Sequence, residues 1–434
     1  MTGRRLRAVL VDRATARFTE LLASALDPSR PGPAIVPVDA ALPAVRLEAL
    51  LRALDPDEVE DDGGVTTVSS GKNGVSEDTA VIICTSGSTG EPKGVELSAA
   101  ALLYSARASL ARAGARPGER WLCCLPVTHI AGIQVLVRSL ADGTDPYLAA
   151  DSDEQTIANS GCAHISLVPT QLARLAPRAL AGYRTILLGG AAAAAGQVER
   201  ARAAGLPVVT TYGMSETCGG CVYDGIPLDG VRVRVEDGGR VWISGPVLFQ
   251  GYAGGERAGE WFRTGDLGAF GTDGSLMIRG RADDVINTGG YKVVPAEVAA
   301  LLQACPGVRD AAVLGQNDPE WGERVVAVIV PADPDDPPTL KMLRMHVQER
   351  LPRYAAPSRV VLVDAVPMLP SGKPDLMRLR QDLSDRAVGS TGGNKLSDRA
   401  LLIIARAMLS LRTTRGDVGY LAETRERQTR LARS

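Results

Sequence analysis

The feature that most limits the folds open to this chain is a regular alternation of short apolar runs and helical segments between residues 80 and 213. The runs AVIICTS, WLCCLP, HISLVP and TILLGGA alternate with segments such as SAAALLYSARASLARAG and QVERARAAG. This rhythm predicts an α/β fold, with a largely parallel sheet and helices on its faces. We expect Ser98 to be the N-cap of the first of these helices and Gly114 to end it.

The pattern changes twice after this region. Residues 214–281 alternate in period two around Asp-Gly and Gly-Gly turns, which predicts β-hairpins. Residues 282–384 then predict helix, strand, strand, helix and strand, enough for a small α+β domain. We therefore expect a large N-terminal domain over residues 1–281, this small domain, and a basic tail over residues 385–434 that begins near the flexible stretch GSTGGNK.

Composition excludes several function classes. The formal net charge of −2 gives no overall basic field for nucleic acid. No apolar run approaches the roughly 18 residues of a membrane span, and the first run ends at Asp12 and Arg13, too short for a signal peptide. Seven scattered cysteines favour a reducing compartment, and the CxxC at Cys218 and Cys221 lacks the further ligands that zinc needs.

These observations predict a cytoplasmic protein with small-molecule partners, no nucleic-acid partner and no integral membrane segment. The sequence is equally compatible with a monomer and with a homo-oligomer. The basic, amphipathic character of the tail also leaves open a contact with a membrane surface or with a partner.

The stretch TSGSTGEPKG, residues 85–94, has the composition of a phosphate-binding loop. Its glycines allow backbone N–H groups to approach an anion, its hydroxyl groups add donors, and Lys93 adds a positive charge. It is not a nucleotide loop of the Walker type, because the sixth position from Gly87 is Pro92 and Lys93 is followed by Gly94. On its own, such a loop is also compatible with an ordinary mobile turn.

The longer stretch TSGSTGEPKGV resembles the phosphate loop of the adenylate-forming superfamily, which includes acyl-CoA synthetases, amino-acid adenylating domains and luciferases. Four further stretches resemble signatures of that superfamily, in its order: TTYGMSET (210–217), RTGDLG (263–268), GRADDVINTGGYKVVPAEV (280–298) and PSGKPD (370–375). The resemblance implies a reaction in two steps. A carboxylate attacks the α-phosphate of ATP and releases pyrophosphate, and the thiol of CoA then attacks the acyl-adenylate.

The resemblance also assigns the nucleotide site. It implies that Glu216 holds Mg²⁺, that Asp266 accepts the ribose hydroxyl groups with Arg281 nearby, and that Tyr212 stacks on adenine. The backbone from Gly189 to Ala191 would pass close to the base, although a plain turn after a strand explains these three residues as well. The implied nucleotide-binding residues are Thr85, Ser86, Gly87, Ser88, Thr89, Gly90, Lys93, Gly189, Gly190, Ala191, Tyr212, Gly213, Asp266, Arg281 and Lys373.

The resemblance also implies a small domain that moves between the two steps, with Asp283 at the hinge. In the first step, adenylation, Lys373 would reach the bridging oxygen region of the nucleotide. Gly289 and Gly290 would lie against the narrow thiol-bearing arm of CoA, because residues without side chains leave room for it. The implied catalytic residues are Lys93, His129, Glu216 and Lys373.

The stretch LPVTHIAGIQVLVRSL, residues 125–140, resembles the acid-binding segment of the superfamily and places His129 at the mouth of the pocket. Arg138 interrupts an apolar run, and a buried arginine needs an anion. If Arg138 faces the pocket, it would pair with a second carboxylate of the substrate, which suggests a dicarboxylic acid. A structural histidine and an arginine on the solvent side of an amphipathic helix are the simpler alternatives.

Three other functions remain open at this point. The enzyme could activate another aryl or medium-chain fatty acid, or it could load a carrier protein, although no carrier segment follows in this chain. A nucleotide-binding protein without turnover is disfavoured because Lys93, Glu216, Asp266 and Lys373 occur together. The phosphate loop also begins earlier than in most superfamily members, which implies a reduced N-terminal subdomain.

Overall fold

The computed structural model describes residues 3–68, 75–86, 92–149, 151–194, 196–368 and 374–388. The predicted site residues Gly87, Ser88, Thr89, Gly90 and Lys373 lie outside the described residues. Residues Met1–Leu376 group into one compact unit, so the large and small domains are described together.

The large domain contains eighteen of the described strands and eight of the helices. In chain order they are β1 (Leu6–Val11), α1 (Ala16–Leu26), β2 (Ala34–Asp39), α2 (Ala44–Leu54), β3 (Glu58–Asp61), β4 (Gly64–Thr67), β5 (Thr79–Ser86), β6 (Pro92–Ser98), α3 (Ala99–Ala113), β7 (Trp121–Cys123), α4 (Ile130–Asp142), β8 (Tyr147–Leu148), α5 (Glu154–Asn159), β9 (His164–Leu167), α6 (Pro169–Arg174), α7 (Pro177–Leu180), β10 (Thr185–Leu188), α8 (Gln197–Ala203), β11 (Val208–Met214), β12 (Gly219–Tyr223), β13 (Ile226–Pro227), β14 (Arg232–Val235), β15 (Arg240–Ser244), β16 (Gly251–Tyr252), β17 (Trp261–Phe270) and β18 (Leu276–Arg281).

These strands form three sheets. The first has the order β16-β6-β5-β2-β1-β3-β4 and the second the order β13-β12-β11-β10-β9-β7-β8. In the second sheet the pairs from β11 to β8 are all parallel, and β9 and β10 are buried at every position because both of their faces are covered. The third sheet, β14-β15-β17-β18, is antiparallel. The predicted α/β class and the predicted hairpins are confirmed.

Helices α3 and α4 pack on one face of the second sheet and close the main core. The Ser98 side chain accepts a hydrogen bond from the backbone N–H of Ala101 at the start of α3, and Gly114 ends the helix with φ of 60°. Both predicted ends of this helix are therefore correct. Trp121, Ile133 and other fully buried side chains lie between these helices and the sheet.

Strand β6 was not predicted and changes the setting of the phosphate loop. The sequence pattern suggested a strand followed by the loop and then directly by a helix. Instead, β6 pairs antiparallel with β5, so Thr85 lies opposite Lys93 and the loop joins two neighbouring strands. Because β5 also pairs in parallel with β2, the loop still leaves the carboxyl end of a strand in the parallel part of the first sheet.

The small domain has its own sheet and core. Its elements are β19 (Ile286–Thr288), β20 (Tyr291–Val293), α9 (Pro295–Gln303), β21 (Val308–Asp318), β22 (Gly322–Pro331), α10 (Leu340–Gln348) and β23 (Arg359–Leu362). The sheet has the order β20-β19-β22-β21, with β23 parallel to β22, and its core includes Val298, Ile329 and Leu343. This is the α+β arrangement that the sequence predicts.

A last helix, α11 (Leu376–Val388), lies from Met377 onwards in a separate unit and crosses the expected boundary at residues 384 and 385. The division into three parts therefore stays a prediction. Within the described ranges, no helix is long and apolar enough to cross a membrane.

Replacing the fully buried Leu102 of α3 by alanine should lower the free energy of unfolding by about 2–5 kcal/mol, because the side chain is lost from a close-packed core. Urea denaturation followed by circular dichroism measures this change. Val45→Ala is the matched control, since Val45 is 80% exposed on α2 and its loss should change stability by less than about 0.5 kcal/mol. Equal effects of the two substitutions would contradict the assignment of the core.

Candidate active site

A sharp bend in β11 brings Tyr212 close to the turn that carries Glu216. The strand runs parallel to β10 at its start and antiparallel to β12 at its end, with an irregular register between Tyr212 and Gly213. A Cβ atom at Gly213 would lie 1.9 Å from the carbonyl oxygen of Gly219, so the bend requires glycine. A short helical turn, Ser215–Thr217, follows directly and places Glu216 beside the bend.

Asp266 accepts hydrogen bonds from two sides. The Tyr212 hydroxyl donates to Oδ2 at 2.8 Å, and Arg281 Nη1 lies 3.1 Å from Oδ1. The Arg281 guanidinium needs the space that Gly265 leaves, because a Cβ there would lie 2.5 Å from Nη2. Burial and the Asp266 carboxylate both raise the pKa of Tyr212, so its hydroxyl group stays a donor at neutral pH. The carboxylate is thus oriented by a neutral donor and by a cation.

Glu216 and Lys93 are linked through Tyr252, a residue outside the five motifs described above. The Tyr252 hydroxyl donates to Glu216 Oε1 at 2.8 Å, and Lys93 Nζ lies 5.5 Å from the centre of the Tyr252 ring. Strand β16 pairs with β6, so Tyr252 lies opposite Val95, two residues after Lys93. Burial, and then the Glu216 carboxylate, raise the pKa of Tyr252 and keep its hydroxyl group protonated.

The two ends of the phosphate loop lie in register beside this group. The Thr85 hydroxyl donates to the carbonyl oxygen of Lys93 at 3.3 Å, and the backbone of Ser86 pairs with that of Pro92. The ends of the loop are therefore held by the sheet.

The glycines after β10 are required by close packing and by backbone conformation. The Gly189 backbone N–H donates to the carbonyl oxygen of Leu167 at 3.1 Å, and a Cβ at Gly189 would lie 2.2 Å from Thr211 Oγ1. Gly190 has φ of 81°, which favours glycine. The turn from Gly189 to Ala191 therefore lies at the carboxyl edge of the second sheet, next to the strand that carries Tyr212. Packing and backbone conformation are enough to explain its two glycines.

The two residues of the expected acid site lie at the start of helix α4 and within it, in different environments. His129 is exposed and directly precedes the helix. Arg138, two turns along, is only 5% exposed, and its Nη2 donates to Ser166 Oγ at 2.9 Å. Its guanidinium carbon lies 4.2 Å from the centre of the Trp121 ring, and burial lowers its pKa. Of the two interpretations that the sequence left open, a buried Arg138 agrees with the structure and a solvent-facing arginine does not.

Arg138 has no carboxylate partner within the part of the chain that the structure describes, and its buried Nε makes no hydrogen bond there. A buried cation in this state has a high cost in free energy unless an anion reaches it. The surroundings of Arg138 are therefore suited to an incoming anion.

In the small domain, Gly289 and Gly290 form the turn of the β19–β20 hairpin, with φ of 57° and 81°. A Cβ at Gly289 would lie 2.7 Å from the Trp321 ring, so a larger residue would strain the hairpin itself. Asp283 is exposed just after β18, with Oδ2 3.5 Å from Arg281 Nη2. The roles expected for these residues in CoA binding and domain movement stay predictions.

The structure therefore brings together two groups of predicted residues, Tyr212 with Asp266 and Arg281, and Glu216 with Lys93. Tyr252 and Trp121 were missed. Tyr252 occurs in the stretch GPVLFQGYAGG, whose glycines indicate a turn but do not point to a site. Trp121 starts a strand that was correctly predicted, and its contact with Arg138 depends on tertiary packing.

Comparison with known protein families gives a match over most of the described chain. Residues 6–253 match the family model described as AMP-binding enzyme, and residues 297–373 match the model described as AMP-binding enzyme C-terminal domain. The two matches correspond to most of the large domain and to most of the small domain.

Two relatives and one solved structure that are similar to this chain are named as CoA ligases or synthetases. A probable 2-succinylbenzoate–CoA ligase of Mycobacterium tuberculosis is 46% identical over 322 residues, which cover 69% of this chain and 84% of the relative. A 2-succinylbenzoate–CoA ligase of Listeria monocytogenes is 32% identical, with 70% of each chain covered. Among solved structures, the o-succinylbenzoate CoA synthetase from Bacillus subtilis in complex with the acyl-adenylate intermediate OSB-AMP superposes with a TM-score of 0.73 at 27% identity, and the match covers 88% of each chain.

Gly213→Ala should disrupt the bend that brings Tyr212 and Glu216 together, because the added Cβ has no room beside Gly219. We expect a loss of about 1–3 kcal/mol in the free energy of unfolding, measured by urea denaturation. Gly182→Ala is the control, since no atom lies within 4 Å of a Cβ built there. A Gly213→Ala protein as stable as the control would show that the bend tolerates a side chain.

Proposed function

Since this chain belongs to the family of AMP-binding enzymes, we propose that it is an acid–CoA ligase that uses ATP, releases AMP and pyrophosphate, and acts on 2-succinylbenzoate. The relatives named above support the acid. So do the stretches LPVTHIAGIQVLVRSL and YGMSETCGGCVYDG (212–225), which resemble most those of the o-succinylbenzoate–CoA ligases of menaquinone biosynthesis. The product would be 2-succinylbenzoyl-CoA, an intermediate of that pathway.

The observation that carries the choice of acid is the buried Arg138. Its cation lies within the segment that resembles the acid-binding segment of the superfamily, and the described residues provide no carboxylate for it. 2-Succinylbenzoate has two carboxylates, so one can be activated while the other pairs with Arg138. A monocarboxylic acid would leave this cation without a counter-ion. His129, exposed at the start of the same helix, would lie at the entrance of the acid site.

The nucleotide would lie across the carboxyl edge of the second sheet. Asp266 would accept hydrogen bonds from the ribose hydroxyl groups. Tyr212 and Arg281 hold the Asp266 carboxylate in one orientation before the nucleotide binds. Tyr212 offers its ring to adenine, and the turn at Gly189 to Ala191 passes beside the base. Pre-orientation of this kind lowers the entropy lost on binding.

Mg²⁺ fits Glu216. The described residues contain no group of three His, Cys, Asp or Glu side chains that could hold a metal ion by themselves. Mg²⁺ in phosphate-transfer sites is commonly held by one or two carboxylates and by phosphate oxygens, and Glu216 with its fixed Oε1 supplies one such carboxylate. When bound, the ion would neutralise charge on the phosphates.

The protein groups that handle the phosphates would be Thr85, Ser86, Lys93 and the residues from Gly87 to Gly90. The carboxylate of the acid must approach a polyanion, so positive charge near the α-phosphate lowers the barrier of the first step. Lys93, held over the Tyr252 ring, contributes part of that charge. Lys373 of the small domain would contribute the rest near the bridging oxygen.

The second step would follow a rotation of the small domain. Rotation about Asp283 would bring the Gly289–Gly290 turn to the acyl-adenylate, where the turn has no side chains to obstruct the thiol arm of CoA. We place the reaction in the cytoplasm, which agrees with the seven free cysteines.

Pyrophosphate exchange tests the proposal directly. The protein should catalyse exchange of pyrophosphate into ATP with 2-succinylbenzoate and much less with fatty or aryl monocarboxylic acids. Arg138→Met should lower kcat/KM for the dicarboxylate by at least about tenfold, since a charge-assisted contact is lost. The values for monocarboxylic acids should change little.

Arg107→Met is the control for this substitution, because Arg107 is exposed on the neighbouring helix α3. A protein that prefers a monocarboxylic acid, or an Arg138→Met protein that keeps its preference, would refute the assignment of the acid. Absence of exchange with every acid would refute the ligase itself.

Tyr252→Phe should raise the free Mg²⁺ concentration needed for half-maximal exchange by roughly tenfold, because Glu216 loses the donor that orients it. Tyr104→Phe is the control, since its hydroxyl group donates to the carbonyl oxygen of Asp229 and has no contact with Glu216 among the described residues. An unchanged Mg²⁺ requirement in Tyr252→Phe would contradict the proposal that Glu216, oriented by Tyr252, binds the metal ion.

A further inference from the structure

The environment of Arg138 contains a second specific feature, the indole ring of Trp121. Trp121 is fully buried at the start of β7, and the guanidinium carbon of Arg138 lies 4.2 Å from its ring centre. Ser166 on the adjacent strand β9 accepts one hydrogen bond from Nη2. The cation is therefore fixed by an aromatic face and one neutral hydroxyl group.

An aromatic face stabilises a buried cation differently from a carboxylate. The electron-rich face attracts the guanidinium but accepts none of its in-plane N–H donors, whereas an aspartate or glutamate would occupy two of them and cancel the charge. A carboxylate in this place would also repel a carboxylate of the substrate. Trp121 thus stabilises the Arg138 cation without occupying its N–H donors, which agrees with the unpaired Nε.

The indole is itself held in place. Trp121 and His164 are neighbours across β7 and β9, and their rings stack with centres 4.7 Å apart at an angle of 25°. His164 Nε2 donates to Glu119 Oε2 at 3.0 Å, and burial lowers the pKa of His164, which favours its neutral form. A neutral ring adds no charge that would compete with Arg138, so the stack acts as a rigid support.

We propose that Trp121 is a positioning residue that sets the preference for a dicarboxylic acid, by holding the Arg138 guanidinium over its ring so that the donor left without a partner is available to the second carboxylate. The inference rests on the proposed function and deepens it. Trp121 does not touch the substrate in this account, and its effect is transmitted entirely through Arg138.

The test compares 2-succinylbenzoate with two monocarboxylate analogues, 4-oxo-4-phenylbutanoate and 2-butanoylbenzoate, each of which lacks one of the two carboxyl groups. The measured quantity is the ratio of kcat/KM for the dicarboxylate to that for the better analogue. Trp121→Phe should lower this ratio modestly, and Trp121→Leu should lower it by roughly tenfold, in the order of cation–π strength. Loss of packing alone would slow all acids together and leave the ratio unchanged.

A double-mutant cycle with Arg138→Met makes the test specific. In the Arg138→Met background, Trp121→Leu should change the ratio no further, because the cation through which it acts is absent. Phe18→Leu is the packing control, since Phe18 is equally buried in the same core on α1 and should not alter the ratio.

The outcomes separate the two proposals. Wild-type protein with no preference for the dicarboxylate overturns both. Wild-type protein with the preference, combined with Trp121 variants that keep it, overturns the role of Trp121 alone. Equal effects of Trp121→Leu with and without Arg138 would do the same.

Discussion

The hydrogen bonds to the Asp266 carboxylate connect the parts of the molecule on which the site depends. Tyr212 belongs to the second sheet, whereas Asp266 and Arg281 face each other in the third, so one carboxylate joins two sheets. Arg281 is also the last residue of β18 and continues into the segment that leads to the small domain. Since Asp266 is 7% exposed, losing either donor would leave a poorly solvated charge.

The sequence could predict those elements whose signals are local. The cap at Ser98, the stop at Gly114, the hairpins after residue 213 and the strands of the small domain all follow from neighbouring residues, and the structure confirms them. Strand β6 was missed because its first three residues, Pro92 to Gly94, belong to the stretch predicted to be the phosphate loop. Its pairing partners, β5 and β16, are decided by tertiary contacts that periodicity cannot show.

The site could be predicted as far as motif resemblance reaches. Asp266, Arg281 and Tyr212 come from three separate motifs, and the structure brings them within hydrogen-bonding distance. Tyr252 and Trp121 belong to no motif that was recognised, and their importance lies in what they contact. Arg138 lies between these cases, because its position in an apolar run indicated burial but gave no indication of the indole beside it. Neutral supporting groups of this kind are recognised from coordinates and not from composition.

The antiparallel pairing of β5 with β6 also limits how this region can evolve. Side chains in a strand alternate between the two faces of the sheet, so shifting β6 by a single position would turn the Lys93 ammonium group away from Tyr252 and would reverse the faces of Val95 and Leu97. The spacing along β6 is therefore constrained both by the core packing of Val95 and Leu97 and by the contact of Lys93 with Tyr252. An insertion or deletion within β6 would therefore disturb the core and the site together.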